Sequence, residues 1–159
     1  MSANIISIAQ LQQRYSGSYQ FTITQEPDLD FRKYLKRKLC DVLPPVSLAH
    51  PADAHPLDIS LDDLEGDVVA GISAVTYRGT LYIDMLWVDA PLRHTGIGHR
   101  LVQMTEEHAR QRGCRRARIS VPGHTVAFFV GTGYRINGTV QPVDDLSHSV
   151  FWLTKDLLR

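Results

Sequence analysis

Aromatic or β-branched residues alternate with polar ones from Tyr19 to Thr24, between Gly17 and Pro27, and this period of two predicts a first strand. The period then changes. After Asp28 and Asp30, either of which suits a helix N-cap, Phe31, Tyr34, Leu35 and Leu39 recur at helical spacing, and Pro44-Pro45 ends the helix. Its other face carries Arg32, Lys33, Lys36 and Arg37 and reads as solvated. The segment PPVSLAHPADAHP, Pro44 to Pro56, is too rich in proline for a regular element and is expected to drape over a neighbouring surface. A strand meander follows: Leu57 to Leu61, a turn at Glu65-Gly66, Val68 to Tyr77, a turn at Arg78-Gly79, then Leu81 to Val88. Next comes a helix with Ile97, Leu101, Val102, Thr105 and Ala109 inward, Gln103, Glu106, Glu107 and Arg110 outward, and Gly113 closing it. Ala117 to Val121 predicts a strand, Thr125 to Val130 a short helix, Tyr134 to Val140 a strand and Ser149 to Thr154 a last strand. This order is that of an α/β (α+β) protein with helices on the faces of a mixed sheet.

With 159 residues the chain suits one domain, residues 1–159, large enough to stand without disulfides or metals. Lys and Arg total 17, as do Asp and Glu, so no net positive field favours nucleic acid or an anionic membrane. No run approaches the roughly 20 apolar residues of a membrane span, and MSANIISIAQLQQ lacks the basic opening of a signal peptide. Cys40 and Cys114 stand apart and form no CxxC, so reduced thiols and a cytoplasmic location are expected.

The chemistry concentrates between Leu81 and Val102, LYIDMLWVDAPLRHTGIGHRLV. Asp89, Ala90 and Pro91 end an apolar strand just before Arg93-His94-Thr95-Gly96-Ile97-Gly98, and the turn opens a helix. Gly96 and Gly98 carry no Cβ, so an anion can approach the main chain, where the unpaired amides of a first helical turn point outward. A GxxxxGKS/T loop is excluded, because His99 and Arg100 follow Gly98. A dinucleotide fingerprint is excluded too, because Leu101 stands where a third glycine or alanine belongs. A helix start that binds nothing is the remaining alternative.

Strand, turn, RxxGxG and amphipathic helix in that order resemble the acyl-CoA-binding motif of the GNAT superfamily of N-acyltransferases, small bacterial acetyltransferases above all. The resemblance implies a mixed, mostly antiparallel twisted sheet of about seven strands, with helices on both faces and a splay between the fourth and fifth strands. It implies acetyl-CoA as cosubstrate and an amine as acceptor. The amides of His94, Thr95, Gly96, Ile97, Gly98 and His99 would hold the diphosphate, with Arg93 and Arg100 adding charge. Leu86, Trp87 and Val88 would pair their main chain with the pantetheine amides, and an amide near Trp87 or Val88 would polarise the thioester carbonyl.

Asp84 is the conspicuous polar residue of its strand. Burial would raise its pKa and fit it to take a proton from an ammonium; the alternative role is to organise the site through hydrogen bonds alone. The segment AFFVGTGYRING, Ala127 to Gly138, resembles the second GNAT motif, matched at Gly133 and Tyr134. It departs where many members carry a proton-donating tyrosine. Phe129 stands there, and Pro122, Gly123 and His124 occupy the neighbourhood of a frequent asparagine, so the general acid is unassigned, with His124 and His148 as spare candidates. Tyr134 is expected to pack. His50, Asp53 and His55 fall short of a closed ligand set, so no metal is expected.

These readings converge on an acetyl-CoA-dependent N-acetyltransferase for a primary amine of a small molecule. Protein or peptide amines and a non-catalytic acyl-CoA sensor are the alternatives, the latter on account of Phe129. Val150-Phe151-Trp152-Leu153 either pairs across a homodimer or finishes the sheet.

Overall fold

The computed structural model describes residues 19–40, 50–140 and 149–158. In chain order these form β1 (Gln20–Thr24), α1 (Leu29–Cys40), β2 (His55–Asp62), β3 (Val68–Tyr77), β4 (Thr80–Val88), a 3-10 turn (Ala90–Leu92), α2 (Ile97–Gln111), β5 (Arg116–Pro122), α3 (Gly123–Gly131), β6 (Arg135–Val140) and β7 (Val150–Asp156). The strands make one seven-stranded sheet in the order β1-β2-β3-β4-β5-β7-β6. Only β4 and β5 run parallel; the other neighbours are antiparallel. The mixed, splayed sheet expected from the resemblance is therefore present. Pro44-Pro45, the first part of the connector and His148 lie outside the described residues.

Asp28 is the cap of α1, its Oδ1 accepting from the Phe31 amide at 3.0 Å. Pro56 falls inside β2, which starts at His55, two residues ahead of where sequence reading begins the strand. It is tolerated because β1 pairs with β2 only from Asp58 onward, so Pro56 faces no ladder on that side. One face of the sheet buries Leu57, Ile59, Leu61, Ala70, Ile72, Ala74, Leu81 and Ile83 with Ile97, Leu101, Val102 and Ala109 of α2. The opposite face is covered by α1, which sits so close over β3 that a Cβ on Gly71 would lie 2.7 Å from Phe31 Cζ. Among the described residues no helix is long and apolar enough to cross a membrane.

Two expectations need correction, and one pair of alternatives is resolved. Glu106 is 3 % exposed, not outward. Its carboxylate accepts from Tyr134 Oη at 3.0 Å and from Lys155 Nζ at 2.9 Å, while Lys155 also donates to the Thr132 carbonyl. A one-face helical reading misses this, because the α3–β6 corner and β7 cover a second strip of α2. Arg32 likewise turns inward from the face read as solvated, as described below. Of the two alternatives for Val150–Leu153, the segment finishes the sheet: β7 pairs with β5 on one side and β6 on the other and has no free edge.

Candidate active site

β4 and β5 pair from Thr80↔Arg116 to Ile83↔Ile119 and no further, although β4 runs on to Val88 and β5 to Pro122. A fork opens there. Its inner edges present main-chain groups that have no strand neighbour and can pair with an extended ligand. At the same level the β3–β4 register slips: Ser73 pairs with Met85 and Ala74 with Ile83, which leaves Asp84 as the extra residue of a β-bulge. The bulge reverses the alternation of faces. Leu81 and Ile83 before it, and Leu86 and Val88 after it, all pack toward the core under α2. Asp84 and Trp87 instead face α1, where Trp87 meets the Tyr34 ring edge-on with centroids 5.9 Å apart.

Asp84 is 15 % exposed in its side chain, and its Oδ1 lies 2.7 Å from His50 Nε2. Its Oδ2 lies 3.5 Å from Arg32 Nη1. The other guanidinium nitrogen of Arg32 donates to the Ala74 carbonyl at 3.0 Å and reaches Asp58 Oδ1 at 3.5 Å; that oxygen also accepts from Ser73 Oγ at 2.7 Å. Burial pushes the Asp84 carboxyl above its usual value of 3.8, an effect that the His50 hydrogen bond and the His50 and Arg32 charges only partly offset. Asp58, 1 % exposed, is raised in the same way by burial. With His50 Nε2–H donating to Asp84, the imidazole keeps Nδ1 as a lone-pair acceptor. His50 is the member of the site that sequence reasoning assigned elsewhere, to a three-residue metal alternative. Asp53 and His55 do not join it: both are exposed, and they line a separate pocket with Arg112 and Cys114.

At the open end of the fork, Asp89 caps the 3-10 turn by accepting from the Ala90 amide, and Arg93 Nε is tied to the Val88 carbonyl at 2.9 Å. His94 and Gly96 both take positive φ, 61° and 92°, and Gly96 is the N-cap of α2 without a side-chain hydrogen bond. The first helical bond runs from the Arg100 amide to the Gly96 carbonyl, so the amides of Ile97, Gly98 and His99 precede the ladder and are uncapped. That geometry suits a diphosphate. Alanine at Gly96 would be forced into the left-handed region at a cost of about 1–2 kcal/mol; urea denaturation should show this, and an unshifted midpoint would contradict it.

Gly98 serves packing as well as access. A Cβ there would meet Phe128 Cζ at 3.1 Å, and the same ring lies 4.6 Å from the His99 ring, centroid to centroid. Burial lowers the His99 pKa below 6.5, which favours its neutral form. The Arg100 guanidinium donates to Gln103 Oε1, while its Nε is buried without a partner among the described residues. Phe129, at the position implied to border the cofactor, is 1 % exposed and packs edge-on against Phe128 and Tyr134. Phe128 is the ring that lies over the turn. Tyr134 packs, as expected, and donates its hydroxyl to Glu106; burial and that carboxylate hold its pKa well above 10.

Comparison with known proteins agrees with this geometry. The model of the acetyltransferase (GNAT) family matches residues 8–129. Acetyltransferase Atu2258 of Agrobacterium fabrum is 31% identical over 105 residues, 65% of this chain and 76% of that protein. Among solved structures, one assigned as an acyl-CoA N-acyltransferase from Klebsiella pneumoniae superposes with a TM-score of 0.70 at 22% identity, covering 88% of this chain and 98% of its own. An aminoglycoside 6'-N-acetyltransferase complexed with coenzyme A superposes with a TM-score of 0.66 at 16% identity, covering 87% and 98%. These two likenesses speak for the fold, and the family match and the curated relative speak for descent: the chain belongs to the acetyltransferase (GNAT) family.

Proposed function

We propose that the protein is an acetyl-CoA-dependent N-acetyltransferase that acylates a primary amine of a small molecule. One observation carries this reading: the sheet forks at the bulged residue Asp84, and the uncapped amides of α2 stand at the open end of the same fork. The amides of Ile97, Gly98 and His99 hold the diphosphate, and the Arg93 and Arg100 side chains add positive charge nearby. The open edges of Leu86, Trp87 and Val88 hold the pantetheine amides. The acetyl thioester supplies the electrophile when bound.

His50 and Asp84 prepare the nucleophile. An ammonium with a free pKa of about 10 is unreactive at neutral pH, so a proton must leave the nitrogen before or as the N–C bond forms. The pair accepts that proton as a unit, with Asp84 holding the imidazole tautomer and Arg32 fixing Asp84. The C–S bond breaks and the thiolate takes a proton from water. Neither motif position offers a tyrosine hydroxyl for it, since Phe129 has none and Tyr134 Oη is committed to Glu106.

The test follows free thiol release from acetyl-CoA across a panel of small amines and short peptides. Sustained release that depends on a small amine is expected. Tight acetyl-CoA binding with no release from any amine would favour a sensor, and peptide-only release would move the acceptor class. His50→Ala should lower kcat/KM by about 10²-fold or more without weakening acetyl-CoA binding. An equal loss in affinity would remove His50 from the proton path.

A further inference from the structure

On the α1 face, beside the closed end of the fork, a cavity of about 210 Å³ is lined by His50, Tyr77, Tyr82, Arg118, Ser120 and Trp152 among others. Its wall includes His50, whose ring is bonded to Asp84. Its walls are mainly aromatic, with one cation among them.

Arg118 differs from every comparable arginine of the described residues. Five arginines are half-buried there: Arg32, Arg100, Arg110, Arg112 and Arg118. Arg32 meets Asp58, Asp84 and the Ala74 carbonyl, Arg100 meets Gln103, Arg110 meets the Leu157 carbonyl, and Arg112 meets Thr76, Gln25 and two carbonyls. Arg118 has no hydrogen bond or ion pair with any described residue; its guanidinium carbon lies 4.5 Å from the centroid of the Trp152 ring. Stacking on indole orients the fork of N–H donors while leaving its edge free, which is the arrangement that captures a carboxylate in two parallel hydrogen bonds.

Placement sets the spacing. Tyr82 and Arg118 are register partners across β4 and β5, and Asp84 lies two residues further along β4. Strand geometry then puts the Arg118 and Asp84 backbones about 8 Å apart; Arg118 lines the cavity itself, and Asp84 reaches it through His50. One end of the cavity suits an ammonium and the other an acid, with aromatic surface between them.

Resting on the acetyl-transfer reading, we infer that the acceptor is an amino acid, its amine directed to His50 and Asp84 and its carboxylate held by Arg118. The aromatic walls of Tyr77, Tyr82 and Trp152 suit an apolar side chain, and the Arg118 cation repels a polyamine.

The experiment compares amino acids, aromatic and aliphatic, with their primary amides, which match them in size but lack the charge. Transfer is read as kcat/KM, and binding is read separately by calorimetric titration. Wild-type protein should prefer each acid by about tenfold or more in both readouts. Arg118→Gln should bring acid and amide to near parity, and Arg118→Lys should restore part of the preference. Equal use of acids and amides by the wild type, or a preference that survives Arg118→Gln, overturns the inference while leaving acetyl transfer intact. Acid-selective binding that depends on Arg118, without thiol release from any amine, supports the pocket and overturns the transfer reading instead.

Discussion

Asp84→Asn should lower kcat/KM for acetyl transfer by about 10²–10⁴-fold, the usual worth of a positioned proton acceptor, without lowering the melting temperature. The two halves of this expectation have one cause. Burial raises the Asp84 pKa above 3.8 despite the His50 and Arg32 charges, so ionisation is less favourable in the folded protein than in the unfolded chain. Stability linked to such a group is fully present below pH 3.8 and is lost as pH rises through the folded value. At neutral pH the ionised carboxylate therefore counts against the fold, and a neutral isostere removes that penalty. Arg32 keeps Asp58 and the Ala74 carbonyl as partners, so the substitution strands no cation. The pH profile should change as well: the variant's kcat/KM should depend more steeply on pH than the wild type's, rising toward the amine's own pKa of about 10. A variant with full activity and an unaltered profile would reduce Asp84 to an organising role.

Glu106→Ala should cost about 3–5 kcal/mol of stability, because it breaks a buried ionic group by removing one side. Lys155 would lose its carboxylate while still donating to the Thr132 carbonyl, and the Tyr134 hydroxyl would be left in a buried site without its acceptor. For a chain of this size such a loss lowers the melting temperature by roughly 10 °C. Glu106→Gln should cost less, since an amide oxygen can still accept from Tyr134. Urea denaturation of both variants checks this; an alanine cost below about 1 kcal/mol would mean that the group behaves as an exposed ion pair.

Long periodic segments were legible in the chain. The inward face of α2, the meander β2–β4 and the turn from Arg93 to Gly98 stand where alternation, helical spacing and glycine placement put them, because each is fixed by residues close in sequence. The bulge at Asp84 also left a trace: Leu81 and Ile83 keep one parity and Leu86 and Val88 keep the other, with Asp84 and Met85 between them. A reading of LYIDMLWV as one apolar run hides that switch. Arg32 and His50 were not legible. Both reach Asp84 across long stretches of chain, and nothing local separates an arginine that turns under its helix from one that faces water. Glu106 was missed for a similar reason, since its partners come from α3's far end and from β7. Phe128 and Phe129 are neighbours whose roles depend on which way the short helix α3 rolls, and a motif match alone does not fix that angle.

The most direct measurement is a calorimetric titration of the protein with CoA and, separately, with pantetheine, which shares the arm but lacks the diphosphate. If the uncapped amides of α2 hold the phosphates, CoA should bind about 100-fold more tightly, or roughly 2.7 kcal/mol, and Gly96→Val should erase most of that difference. No heat with CoA, or equal affinities for the two ligands, would contradict the account at its root.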